Sequence, residues 1–95
     1  MAEIVVQGVP ASDGWRFTVT VSEGASRTQH QVTVGTTTYE GLSGGNVPPE
    51  VLVREAFAFL LAREPKEAIL RDFDLTVIGQ YFPEFEAEMR RRLAG

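Results

Sequence analysis

The chain has 95 residues, 43% of them hydrophobic, with nine Lys and Arg against thirteen Asp and Glu, a formal net charge of −4, and no cysteine. That is room for one domain with one core, of ordinary globular composition. The absence of thiols excludes disulfides, zinc–thiolate sites and cysteine nucleophiles. The acidic balance disfavours nonspecific attraction to nucleic acid or anionic lipid, because the averaged field repels phosphate.

The chain opens with "MAEIVVQGVP", which carries an acid at Glu3 and lacks the basic region of a secretion signal. No run approaches the ~20 apolar residues that span a bilayer. A cytoplasmic protein without a membrane partner is expected. "EIVVQGV" reads as a first strand. In "WRFTVTVS", Trp15, Phe17, Val19 and Val21 share one face and Arg16, Thr18, Thr20 and Ser22 the other, which is the period of a half-buried strand. "RTQHQVTV" repeats it less cleanly, with Thr28, His30, Val32 and Val34 opposite Arg27, Gln29, Gln31 and Thr33. Asp13-Gly14 and Gly24 supply the two turns, so the strands form an antiparallel meander.

"TTTYEGL" suits either a strand extension or a capped helical turn, and the spacing of Tyr39 and Leu42 favours the turn. "SGGNVPP" is the clearest boundary, and a helix should begin near Pro48 or Pro49. From Val51 to Ala62 the chain is apolar around most of a helix circumference, marking this helix as central. Pro65 stops it, and "PKEAILRDF" starts again as a short helix with Glu67 and Arg71 placed to pair. Asp72 and Asp74 precede a further helix, which Asp74 can cap. There Leu75, Ile78, Phe82, Phe85, Met89 and Leu93 hold one stripe, and Pro83 predicts a kink or two abutting helices near Phe82.

The predicted fold is therefore a single α+β domain. A three-stranded antiparallel β-meander packs against two or three C-terminal helices, over about 48–63, 66–72 and 75–93. Residues 1–43 form the strand-rich half, 44–49 a linker and 50–95 the helical half. The expected core includes Phe57, Leu60, Leu61, Ile69, Leu70, Phe73, Ile78, Phe82 and Phe85.

Several groups could in principle carry chemistry. His30, the single histidine, is in register with Val32 and Val34 and reads as a structural side chain. Asp72 with Asp74, and Glu84 with Glu88, are carboxylate pairs whose simplest role is a solvated helix surface. "GLSGGN" lacks the Gly-Lys-Ser/Thr ending of a phosphate loop. Arg90, Arg91 and Arg92 fan over roughly 200° of a helix and so cannot all face one groove. Glu86 and Glu88 each stand four residues before an arginine, in the stabilising orientation. No catalytic residue, cofactor site or metal site emerges. The residues left as an interaction surface are Arg16, Arg27, Gln29 and Gln31 on the outer sheet face, with Arg90, Arg91 and Arg92 at the C-terminus. The outer face lacks the aromatic platforms of single-stranded RNA readers.

Over Leu52 to Glu86 the sequence resembles a group of small uncharacterised bacterial proteins. In these a strand-rich N-terminal half precedes a helix, a break like Arg63-Glu64-Pro65, and a segment like Phe73-Asp74-Leu75…Tyr81-Phe82-Pro83, with a looser match through "HQVTV". The resemblance implies a recurring compact domain and carries no activity, ligand or catalytic residue with it. The expected function is a non-enzymatic protein-interaction or regulatory module. Its partner would be another protein or a second copy, met through an open sheet edge or the C-terminal helix. Nucleic-acid binding or a transcription-associated accessory role is the alternative, and an enzyme using His30 with a carboxylate is the least favoured.

Overall fold

Alternating burial organises the first half of the computed structural model, which describes residues 2–94. Strands β1 (Glu3–Ala11), β2 (Gly14–Glu23) and β3 (Ser26–Gly35) form the expected antiparallel meander. The turns are two residues long, Ser12-Asp13 and Gly24-Ala25, so Gly14 begins β2 rather than closing the first turn. Gly24 has φ +58°, which its missing Cβ permits. Phe17, Val19, Val21, Thr28, His30, Val32 and Val34 lie buried on the inner face.

The ambiguous segment after Gly35 is helix α1 (Thr36–Ser43), which makes no side-chain cap and ends at Gly44 in the left-handed conformation, φ 64°. Instead of a cap, the Thr36 N–H donates to the Asp13 carbonyl at 2.8 Å, tying the helix start to the first hairpin. Helix α2 (Pro49–Leu61) has proline in its first turn and buries Leu52, Val53, Ala56, Phe57, Phe59 and Leu60 under the sheet. Leu61 is only half-buried, because it lies on the flank of that stripe.

Two of the expected helices are not formed as drawn. The segment 66–72 makes one 3-10 turn, Lys66–Ala68, and then extends into β4 (Asp72–Asp74), which pairs parallel to β3. The sheet is therefore four-stranded and mixed, in the order β1-β2-β3-β4, rather than a three-stranded meander. The free edge of β3 supplies the reason. Gln31 N–H donates to the Arg71 carbonyl at 2.7 Å and Leu75 N–H donates to the Thr33 carbonyl at 2.9 Å, bonds that a helix would forgo. With the helix absent, Glu67 pairs with Lys66 at 2.6 Å instead of with Arg71. Leu70 leaves the predicted core as well, its side chain turned out and 46% exposed.

The last segment, expected over 75–93, divides at Pro83 into α3 (Val77–Tyr81) and α4 (Phe85–Leu93). The stripe survives the break: Leu75, Ile78, Phe85, Met89 and Leu93 are buried, while Phe82, at the joint, is half-buried. Asp74 accepts from the Thr76 N–H at 3.0 Å and the Thr76 hydroxyl at 2.8 Å, closing a local turn ahead of α3. Asp72 has no helix to serve; it lies in β4 and pairs with Arg16. Among the described residues no helix is long and apolar enough to cross a membrane.

Candidate interaction site

Of the arginines singled out in the sequence, Arg16, Arg90, Arg91 and Arg92 are engaged within the chain. Arg90 sits 3.6 Å from Glu86 and donates to the Gly41 carbonyl at 3.1 Å, which ties α4 to α1. Arg91 pairs with Glu88, and Arg92 reaches both Glu88 at 2.8 Å and Glu55 of α2 at 3.3 Å. Hydrogen bonds from Arg91 and then Arg92 hold the Glu88 carboxyl at about 2, below its ordinary value of 4.5. On the outer sheet face, Arg16 donates to the Thr33 hydroxyl and to Asp72 at 2.8 Å. Gln31 accepts from Thr18 at 3.2 Å. Arg27 and Gln29 remain exposed near the start of β3, before the stretch that pairs with β4. The two clusters lie on different elements and share no bonded partner.

His30 is buried, with its ring 5.3 Å from that of Phe57. Its Nδ1 lies 2.7 Å from the Leu70 carbonyl, which can only accept, so Nδ1 carries the proton. Nε2 is then free to accept from the Thr28 hydroxyl at 2.8 Å. Burial lowers the pKa below 6.5, keeping the ring neutral against the opposing pull of the Leu70 bond. Asp72 and Asp74 project from β4 on the opposite side of the sheet, and Glu84 pairs with Arg63 at 3.4 Å. These carboxylates do not converge on His30. No group of three or more His, Asp or Glu side chains able to hold a metal gathers among the described residues.

The Leu70 carbonyl is held by His30, and the Leu70 side chain, exposed beside the buried Ile69, forms one lip of a groove. This groove, about 380 Å³, runs between the end of α2, the 68–73 segment and α3. Leu60, Ile69, Phe73 and Ile78 form its floor, with Leu70 and Tyr81 standing on its rims, 46% and 67% exposed. Glu64 is the one charged residue in the wall, half-buried and without an ion-pair partner among the described residues. A lysine also stands nearby, but it is committed elsewhere. Lys66 is buried, with its ammonium 2.6 Å from Glu67 and 3.4 Å from Glu23, and the Glu67 bond raises its pKa.

Leu70, expected in the core, meets Glu64 and Tyr81 at this groove, and no sequence motif marks the latter two. The available signal was local: Ile69-Leu70 puts two large apolar residues side by side just before an alternating Asp-Phe-Asp, and an extended chain can bury only one of the two. No protein-family model, curated protein or solved structure matches this chain.

Proposed function

We propose that this chain is a cytoplasmic, non-enzymatic protein-interaction module whose groove receives an amphipathic helix of a partner protein. The observation that carries the reading is the open apolar groove with one carboxylate in its wall, Glu64, unpaired among the described residues. Aliphatic and aromatic walls reward apolar anchors at helical spacing, the pattern of helix-in-groove recognition. Glu64 favours a lysine or arginine beside those anchors, since an opposite charge there would be paired on a partly desolvated surface. Its volume sits near the lower end of ligand clefts, about 300–1,000 Å³, which suits a few anchoring side chains. The arginine clusters lend less support to a nucleic-acid partner, because Glu86, Glu88, Glu55 and Asp72 already neutralise them in place.

The test places a photo-crosslinking amino acid at position 81 and identifies the adduct by mass spectrometry. The identified partner is then purified and its binding measured. Leu70→Glu and Glu64→Lys should each weaken that binding about tenfold or more while leaving far-ultraviolet circular dichroism and thermal unfolding unchanged. Binding that is indifferent to both substitutions would refute the reading.

A further inference from the structure

The geometry points to a second site on another part of the surface, where β1 pairs with β1 of a second copy of this chain. Half of the β1 backbone groups face away from β2. Gln31 directs its N–H to the 71–73 segment, so alternation sends His30 and Val32 toward β2. The same alternation, carried across β2, sends Glu3, Val5, Gln7, Val9 and Ala11 toward β2. Ile4, Val6, Gly8 and Pro10 therefore direct their backbone groups at the open edge. The bond from Arg54 to the Ile4 carbonyl agrees with this assignment.

Two features interrupt that edge. Pro10 has no N–H to offer, and the Ile4 carbonyl is already occupied by Arg54. When two copies meet antiparallel about a dyad at Gln7, Ile4 of one copy faces Pro10 of the other. The carbonyl that needs no donor then meets the residue that has none. Ile4 N–H donates to the Pro10 carbonyl, and Val6 and Gly8 exchange both of their bonds. Shifting the dyad to Val5 or Val6 asks for the occupied Ile4 carbonyl. Shifting it to Gly8 leaves the Val6 carbonyl facing Pro10 without a donor.

Side chains select the same register. Val5 and Val9 are 41% and 61% exposed on the outer face, the only large apolar residues of the sheet in that state. A dyad at Gln7 sets Val5 against Val9 of the second copy, twice by symmetry. Cross-strand apolar pairs of this kind are a unit of sheet stabilisation. It also overlaps the whole of Glu3–Ala11, because Gln7 is the middle residue of that strand. The product is a continuous sheet through both copies, with all helices on one side and an isologous interface that leaves no further β1 edge exposed.

The chain has no cysteine, so single cysteines report the register directly. Gln7→Cys should form a disulfide-linked dimer under mild oxidation, since position 7 faces itself across the dyad. Val5→Cys and Val9→Cys should crosslink with each other when mixed and far less when alone. In sedimentation equilibrium the unmodified chain should dimerise, V5K/V9K should lose the dimer through facing like charges, and V5K/V9E should recover it. All these positions point to solvent, so circular dichroism should remain unchanged. A chain still monomeric at about 1 mM, a dimer that survives V5K/V9K, or Val5→Cys crosslinking to itself faster than Gln7→Cys would each overturn the proposal. Because Leu70 and Glu64 are not involved, either surface can fail its test without the other.

Discussion

Replacing His30 by phenylalanine keeps a planar ring beneath Phe57 and deletes both nitrogen contacts. The Leu70 carbonyl and the Thr28 hydroxyl then lose their partners, at 2.7 and 2.8 Å respectively. Two hydrogen bonds at about 0.5–1.5 kcal/mol each predict a loss near 1–3 kcal/mol, toward the upper end where the abandoned groups stay dry. Urea unfolding followed by circular dichroism at pH 7.5 measures it, and amide exchange locates it. The Leu75 N–H, bonded to Thr33, should exchange faster in the variant, because the 69–71 segment would no longer be anchored. The pH dependence has a definite sign. Burial lowers the folded-state pKa below 6.5, so as pH falls through 6.5 the unfolded chain takes up a proton that the folded chain resists. Stability should fall with a slope of at most about 1.4 kcal/mol per pH unit and level off below the folded-state value. H30F should lack that component. A variant as stable as the parent, with Leu75 exchange unchanged and the pH slope intact, would refute the anchoring role.

Three further outcomes follow from individual contacts. Gly8→Ala would drive a Cβ into the Phe17 ring, and shifting a buried ring should cost about 1–3 kcal/mol in chemical unfolding. Met89→Ala removes a side chain with no exposure from beneath α4, with an expected loss of about 2–5 kcal/mol by the same assay. The Glu88 carboxyl is held at about 2 by Arg91 and Arg92, so its contribution is present above pH 4.5 and declines as pH falls toward 2. Glu88→Gln should flatten the acid limb of the stability profile in that window, read from thermal unfolding at stepped pH.

How much of the fold could be read in advance depended on the length over which a pattern repeats. β2 and β3 each run for ten residues, long enough for alternation to declare both strands and their inward face, although the first turn falls at Ser12-Asp13 rather than Asp13-Gly14. The stripe from Leu75 to Leu93 likewise announced its buried side and its interruption at Pro83. β4 has only three residues, Asp72-Phe73-Asp74, which is less than one helical turn, so no period distinguishes strand from helix there. Its conformation is decided by the unpaired edge of β3, about forty positions earlier in the chain, and such a partner leaves no local mark. The groove had one local mark, the adjacent pair Ile69-Leu70, of which an extended chain buries only one. Leu70 looks like a core residue until the extended path beside β3 is known, which takes Ile69 inward and leaves Leu70 outside. The arginine run was legible because its partners are three or four residues away on the same helix, although Arg92 also finds Glu55, which no local spacing announces.

The parallel pairing of Gln31–Thr33 with Asp72–Asp74 also bears on the order in which the molecule assembles. The hairpins of the first three strands close over two-residue turns and can form early. The fourth strand must wait until the intervening chain, with α1 and α2, has been drawn into a closed loop, an entropic debt that slows distant pairings. Its three-residue ladder is then the shortest in the sheet, and short ladders are natural places for a native protein to come apart locally. Residues 69–74 would accordingly detach and re-dock many times within the lifetime of an intact β1–β3 framework.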